Sequence, residues 1–130
     1  MDAIVLQCPK CGQPMERLSQ PEADVHRCTH CRGLWFGMRG DELLKERAEA
    51  IDIGDAATGA RYNAIDHITC PVCRAQWQLV RMVDPQQPHI WFESCPSCNG
   101  RFFDAGEFRD LSDRSLGDFL KRFTAEDRGA

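Results

Sequence analysis

Eight cysteines fall into four pairs with two residues inside each: Cys8/Cys11, Cys28/Cys31, Cys70/Cys73 and Cys95/Cys98. A C-x2-C turn aims two sulfurs at one point. Two such turns supply the four thiolates that a tetrahedral zinc ion takes. The first two pairs are separated by 16 residues and the last two by 21. The zinc template allows roughly 15–20, so the second half exceeds it by one. The expected sets are Cys8, Cys11, Cys28 and Cys31 at one ion, and Cys70, Cys73, Cys95 and Cys98 at another. Four thiolates close each site, so its chemistry is structural and no enzyme is expected. A four-thiolate iron site would use the same ligands. Disulfides need an oxidising compartment, and a redox C-x2-C expects a βαβ setting. Met1 to Lys10 has no basic segment and only Ala3 to Leu6 as an apolar stretch, unlike an export signal. A cytoplasmic location is expected, and no apolar run is long enough to span a membrane.

The elements that must carry these turns occur twice. The first unit reads CPKCGQPMERL, then VHRCTHCRGLWFGMRGDELL; the second reads CPVCRAQWQLV, then WFESCPSCNGRFFDAGEFRDL. Met15 is set against Trp77, Leu18 against Val80, Gly33 against Gly100, and Trp35-Phe36 against Phe102-Phe103. Glu42-Leu43 then meets Glu107-Phe108 after a two-residue insertion in the first unit. In each unit a strand leaves the first knuckle (Met15 to Leu18; Trp77 to Val83). A turn over 19–22 or 84–88 reverses it, and a return strand leads to the second pair (Val25 to Arg27; Ile90 to Glu93).

A short helix is expected after each hairpin. Asp104 and Glu107 form a capping box in the second unit. In the first, Gly40 or Asp41 opens a helix that puts Leu44, Ala48 and Ile51 on one face. The fold class is therefore a small metal-stabilised α+β protein: two tandem zinc-ribbon β-hairpin units, each followed by a short helix. The first unit with its helix spans 1–51, an acidic linker 52–66, the second unit 67–112, and a C-terminal amphipathic helix and tail 113–130. In that tail Ser115 and Asp118 form a capping box before Phe119, Leu120 and Phe123.

The pattern C-P-x-C, then C-x-x-C-x-G-x-aromatic-aromatic-D-x-G-E, resembles the bacterial transcription-factor-type zinc-finger family, named for its likeness to the zinc ribbon of transcription factor IIB. The resemblance covers roughly 8–44 and 70–111 and implies zinc binding at all eight cysteines. Gly37 departs from the motif in the first unit, as does Arg74 in the second. The family name points to transcription by analogy only, since a fold does not fix a function.

Composition explains the need for metal. Leu, Ile, Val and Phe total 27 of 130 residues, too few for one large apolar core. Other chemistry-bearing residues have simpler readings. His26, His30, His67 and His89 are surface or supporting residues, because four cysteines already satisfy each ion. Glu42 and Glu107 are helix-start acids rather than a catalytic pair. Trp35, Phe36, Phe102 and Phe103 are core rather than base-stacking platforms.

The formal charge is −4, and eight thiolates with two dications take it to about −8. That disfavours nucleic acid, which needs Lys and Arg to neutralise phosphates. Arg27, Arg32 and Arg39 form the one local basic cluster. The expected function is a zinc-binding protein-interaction adaptor, with a nucleic-acid-binding or transcription-associated regulator as alternative. A thiol redox-switched chaperone or oxidoreductase stands behind both. The sequence leaves the oligomeric state open.

Overall fold

A computed structural model describes residues 5–20, 23–65, 68–83 and 90–112. The expected turn over 84–88, His67, His89 and the helix and tail at 113–130 lie outside the described residues. The chain is a small α+β protein. Among the described residues its main sheet has six antiparallel strands in the order β1-β2-β3-β8-β7-β6: β1 (Met15–Leu18), β2 (Val25–Cys28), β3 (Leu34–Phe36), β6 (Val80–Val83), β7 (Trp91–Ser94) and β8 (Arg101–Phe103). A two-stranded sheet pairs β4 (Thr69–Cys70) with β5 (Arg74–Gln78).

Each half was expected to be a two-stranded hairpin. Each in fact adds a third strand, made by the aromatic segments after Gly33 and Gly100, and the halves join there. Leu34 pairs with Phe103, Trp35 with Phe102 and Phe36 with Arg101. The strand order reads the same from either end, with Trp35 and Phe102 at its centre. Period-2 alternation then sorts side chains between two cores. One face carries Met15, Trp35, Phe102, Leu79 and the cysteines, closed by Leu6 and Ile68. The other carries Val25, Leu34, Phe36, Phe92 and Phe103, covered by Leu44, Ala48, Ile51, Phe108 and Leu111. Phe92 stacks on Phe103, and Phe36 and Phe108 lie 4.6 Å apart between ring centroids.

The strand expected over Trp77 to Val83 is split at Leu79 between β5 and β6. The equivalence of the halves shifts accordingly. Met15 N donates to Leu6 O, and Leu79 N to Ile68 O, both at 2.8 Å. Met15 therefore corresponds to Leu79, not Trp77. The two-residue insertion near Gly37 is also absent. Gly40 N bonds Gly37 O as Glu107 N bonds Asp104 O, and Leu43 N bonds Arg39 O as Asp110 N bonds Gly106 O. Gly40, not Glu42, stands where Glu107 does. Arg39 holds the positive φ that Gly106 has, 63° against 86°.

The apolar face expected over 41–51 forms, but on a broken helix: α1 (Gly40–Leu43), a 3-10 turn (Lys45–Arg47) and α2 (Ala48–Ile51). The segment read as an acidic linker carries α3 (Ala56–Tyr62), capped by Asp55, whose side chain accepts from Ala57 N at 3.3 Å. The helical segment 107–112 is not capped by Asp104. Buried Asp52 from the former linker does so, accepting from Gly106 N and Arg109 N, each at 2.9 Å. Arg109 answers by donating to Asp52 O and Gly54 O.

Candidate metal centres

The first knuckle closes by Gly12 N on Cys8 O and Cys8 N on Gln13 O, with Gly12 at φ 78°. That is the left-handed turn expected of a glycine after C-P-x-C. The second knuckle turns through Arg32 at φ 65°, and its counterpart through Asn99 at φ 61°. Cys28 N then donates to Gly33 O, and Cys95 N to Gly100 O. Gly33 and Gly100 have a second duty. A Cβ on Gly33 would enter the Phe102 ring, and one on Gly100 would enter the Trp35 ring. Each half leaves room in its knuckle for the central aromatic of the other.

These turns bring Cys8, Cys11, Cys28 and Cys31 into one cluster and Cys70, Cys73, Cys95 and Cys98 into another, with the sulfurs of each within 4.8 Å of one another. The Sγ–Sγ separations include 3.6 Å for Cys8–Cys31, 3.3 Å for Cys11–Cys28, 3.7 Å for Cys70–Cys98 and 3.9 Å for Cys73–Cys95. Zinc–sulfur bonds of about 2.3 Å make a tetrahedron with edges of about 3.8 Å. These separations, 3.3–3.9 Å, lie near that edge and far from the roughly 2.05 Å of a disulfide. Backbone N–H groups also point at sulfur: His30 N and Cys31 N to Cys28, and Cys73 N to Cys70. Each cluster can hold one zinc ion, with its four sulfurs as ligands.

As bare thiols, the four sulfurs of a cluster cannot ionise together. In the first, hydrogen bonds from Cys31 and Cys8 hold the Cys28 thiol far below its ordinary range. Hydrogen bonding to Cys28 pushes Cys8 far up and Cys31 up to about 12. In the second, burial raises Cys70 and Cys98, while Cys95 is lowered by N–H and S–H donors that outweigh its burial. A divalent ion removes this conflict by neutralising the thiolates together.

The histidines among the described residues lie outside both clusters. His26 is half-buried in β2, and burial lowers its pKa. Glu42 and Glu107 do not form a pair. Glu42 is exposed and binds Arg39 at 3.3 Å. Of the arginine cluster, Arg27 is tied to Glu16 and to Ile51 O, and Arg39 to Glu42.

Sequence reasoning missed the polar centre beside the first site. Lys10, between Cys8 and Cys11, is buried and reaches across to the second half. Its Nζ lies 2.9 Å from Glu93 Oε1 and 3.2 Å from Asp104 Oδ2, and it donates to Tyr62 O and Ile65 O. Arg81 shares Glu93 Oε1 at 3.0 Å. Burial, then the charges of Asp104 and Glu93, push Glu107 up to about 8. Asp104 rises to about 6, because burial outweighs the opposing Lys10 charge. A lysine in a cysteine turn carries no sequence signal of where it points.

The antiparallel sheets and two four-sulfur clusters make this a small α+β protein with two groups that could each bind zinc. Residues 7–45 match the family described as transcription factor zinc-finger. Neither the curated proteins nor the solved structures contain a significant match to the chain.

Proposed function

We propose that this is a cytoplasmic zinc-binding adaptor: a duplicated ribbon, two ribbon units with their helices fused into one sheet, that recognises a protein and catalyses no reaction. One observation carries the reading. Both clusters are complete four-sulfur sets at the core, while β5, β6 and β7 of the second half expose Trp77, Val80, Met82, Val83 and Trp91 at 38–52%. Several large apolar side chains exposed along neighbouring strands favour an interaction surface. Closed zinc sites leave no open position for substrate or for activating water. The test is capture of partners by the zinc-loaded chain, compared with a Met82→Lys variant that keeps both metals. A partner held by the wild type and lost in the variant is expected. Equal capture by both, or none, overturns the reading.

The family match over 7–45 favours a second reading, nucleic-acid binding. Titration with generic duplex and single strands at two salt concentrations separates the two. Sub-micromolar affinity that falls steeply with salt would promote the second.

A further inference from the structure

The two edges of the six-stranded sheet are equivalent in position and opposite in chemistry. At one edge β1 is guarded by ions: Glu16 pairs with Arg27 at 2.9 Å, and Arg17 with Asp24 at 2.9 Å. At the other, β6 places Val80 and Val83 where β1 has Glu16 and Ser19. The register sets Met82 beside Phe92 and Val83 beside Trp91, so apolar groups flank both faces of this edge. The strand's one charge is turned inward. Arg81 donates to Asn63 O at 2.6 Å and to Glu93 at 3.0 Å, with its guanidinium 5.2 Å from the Trp91 ring centre. Among the described residues no strand pairs with the outer side of β6. An unguarded apolar edge is a template for another strand, and proteins normally blunt such edges with charge.

We propose that this edge pairs with the same edge of a second copy, β6 against β6, about a twofold axis. The inference rests on reading the strip as an interaction surface. Two features favour a second copy. First, the edge carries no uncompensated charge among its described residues, so two copies meet without like-charge contact there. Second, the guarded β1 edge rules out the open arrangement. Pairing β6 with β1 of another copy would set an apolar strand against one that carries two ion pairs, Glu16–Arg27 and Arg17–Asp24, and strip water from them. Of the contacts this edge can make with another copy, β6–β6 is the self-complementary one. It closes at two copies, because both free ends of the resulting sheet are guarded β1 strands. The negative charge of each copy opposes association at long range. Added salt screens that repulsion, so the dimer tightens as salt rises.

Sedimentation equilibrium of the zinc-loaded full chain from low micromolar to submillimolar concentration is the test. The expected result is a reversible shift from 14.8 kDa toward twice that mass, enhanced by salt. Val80→Lys and Met82→Lys, each checked for two bound metals, should weaken association at least about tenfold, and Glu16→Ala at the other edge should not. As a measurement needing no variant, amide exchange at Val80–Val83 should slow with protein concentration. A chain that stays monomeric throughout overturns the proposal, as does a dimer indifferent to both lysine variants. If Phe119→Ser with Phe123→Ser turns a monomer into a dimer, the tail occupies the edge and the second copy is again refuted. Partner capture sensitive to Met82→Lys by a strictly monomeric chain would sink the dimer while leaving the adaptor reading intact.

Discussion

Lys10 sits between Cys8 and Cys11 of the first cluster, yet its ammonium lies 3.2 Å from Asp104 of the second half. Its side chain is fully buried, and so is that of Asp104 at 1% exposure. The turn that builds one metal site thereby also fastens the halves together, beside the strand pairing at Trp35 and Phe102.

Lys10→Met should cost about 3–5 kcal/mol, because it leaves Asp104 and Glu93 buried with less compensating charge. Denaturant melts of the zinc-loaded variant measure this. The metal content should stay at two ions per chain, since Lys10 is not a ligand.

The contribution of Glu107 to stability should fall as pH rises from about 4.5 to 8. Glu107 binds its proton more tightly folded, at about 8, than unfolded, near 4.5. The native state therefore holds the extra proton across that window, and stability is lost as it leaves. Asp104, raised to about 6, acts in the same direction at the acid end. Glu107→Gln should match the wild type near pH 5 and exceed it above pH 8, by a few kcal/mol at most on the order expected for such a shift. Taking the difference between the two proteins at each pH cancels the proton dependence of metal binding.

Gly33→Ala and Gly100→Ala should be destabilising to a similar degree, each by about 1–3 kcal/mol or more, because each drives a methyl into the opposite half's central ring. Gly37→Ala is the control. Its nearest neighbour would be 3.7 Å away, an ordinary contact. Thermal melts of the three variants should show two large shifts and one small one.

Protein purified without added metal should contain two zinc ions per chain by elemental analysis. A strong chelator should remove the native circular dichroism spectrum. Structural zinc contributes roughly 10–16 kcal/mol, comparable to the whole stability of roughly 5–15 kcal/mol of a small domain.

Residues 1–51 expressed alone should bind one zinc ion but fail to reproduce the full chain's amide spectrum. The ligand set is complete within the fragment. The β3 edge loses β8, however, and Lys10 loses every partner on Glu93, Asp104, Tyr62 and Ile65. A dispersed, native-like spectrum from the fragment would show that the halves are independent.

The two cysteine clusters were legible because the turns that form them are local. Two cysteines in one turn, repeated at the reach of a hairpin, leave few ways to arrange four sulfurs. The buried aromatics and the helical face of Leu44, Ala48 and Ile51 were legible for the same reason, since periodicity is a property of neighbouring residues. The joining of the halves was not. Three-residue strands such as Leu34–Phe36 are too short to show alternation, and their partner lies 67 residues away. The repeat alignment went astray where Glu42 looked like Glu107, because matching letters outweighed a backbone that puts Arg39 where Gly106 stands. Asp104 looked like a helix cap until Lys10 claimed it and Asp52 took its place. Those choices depend on which buried charges meet across the chain, and only the tertiary structure sets that distance.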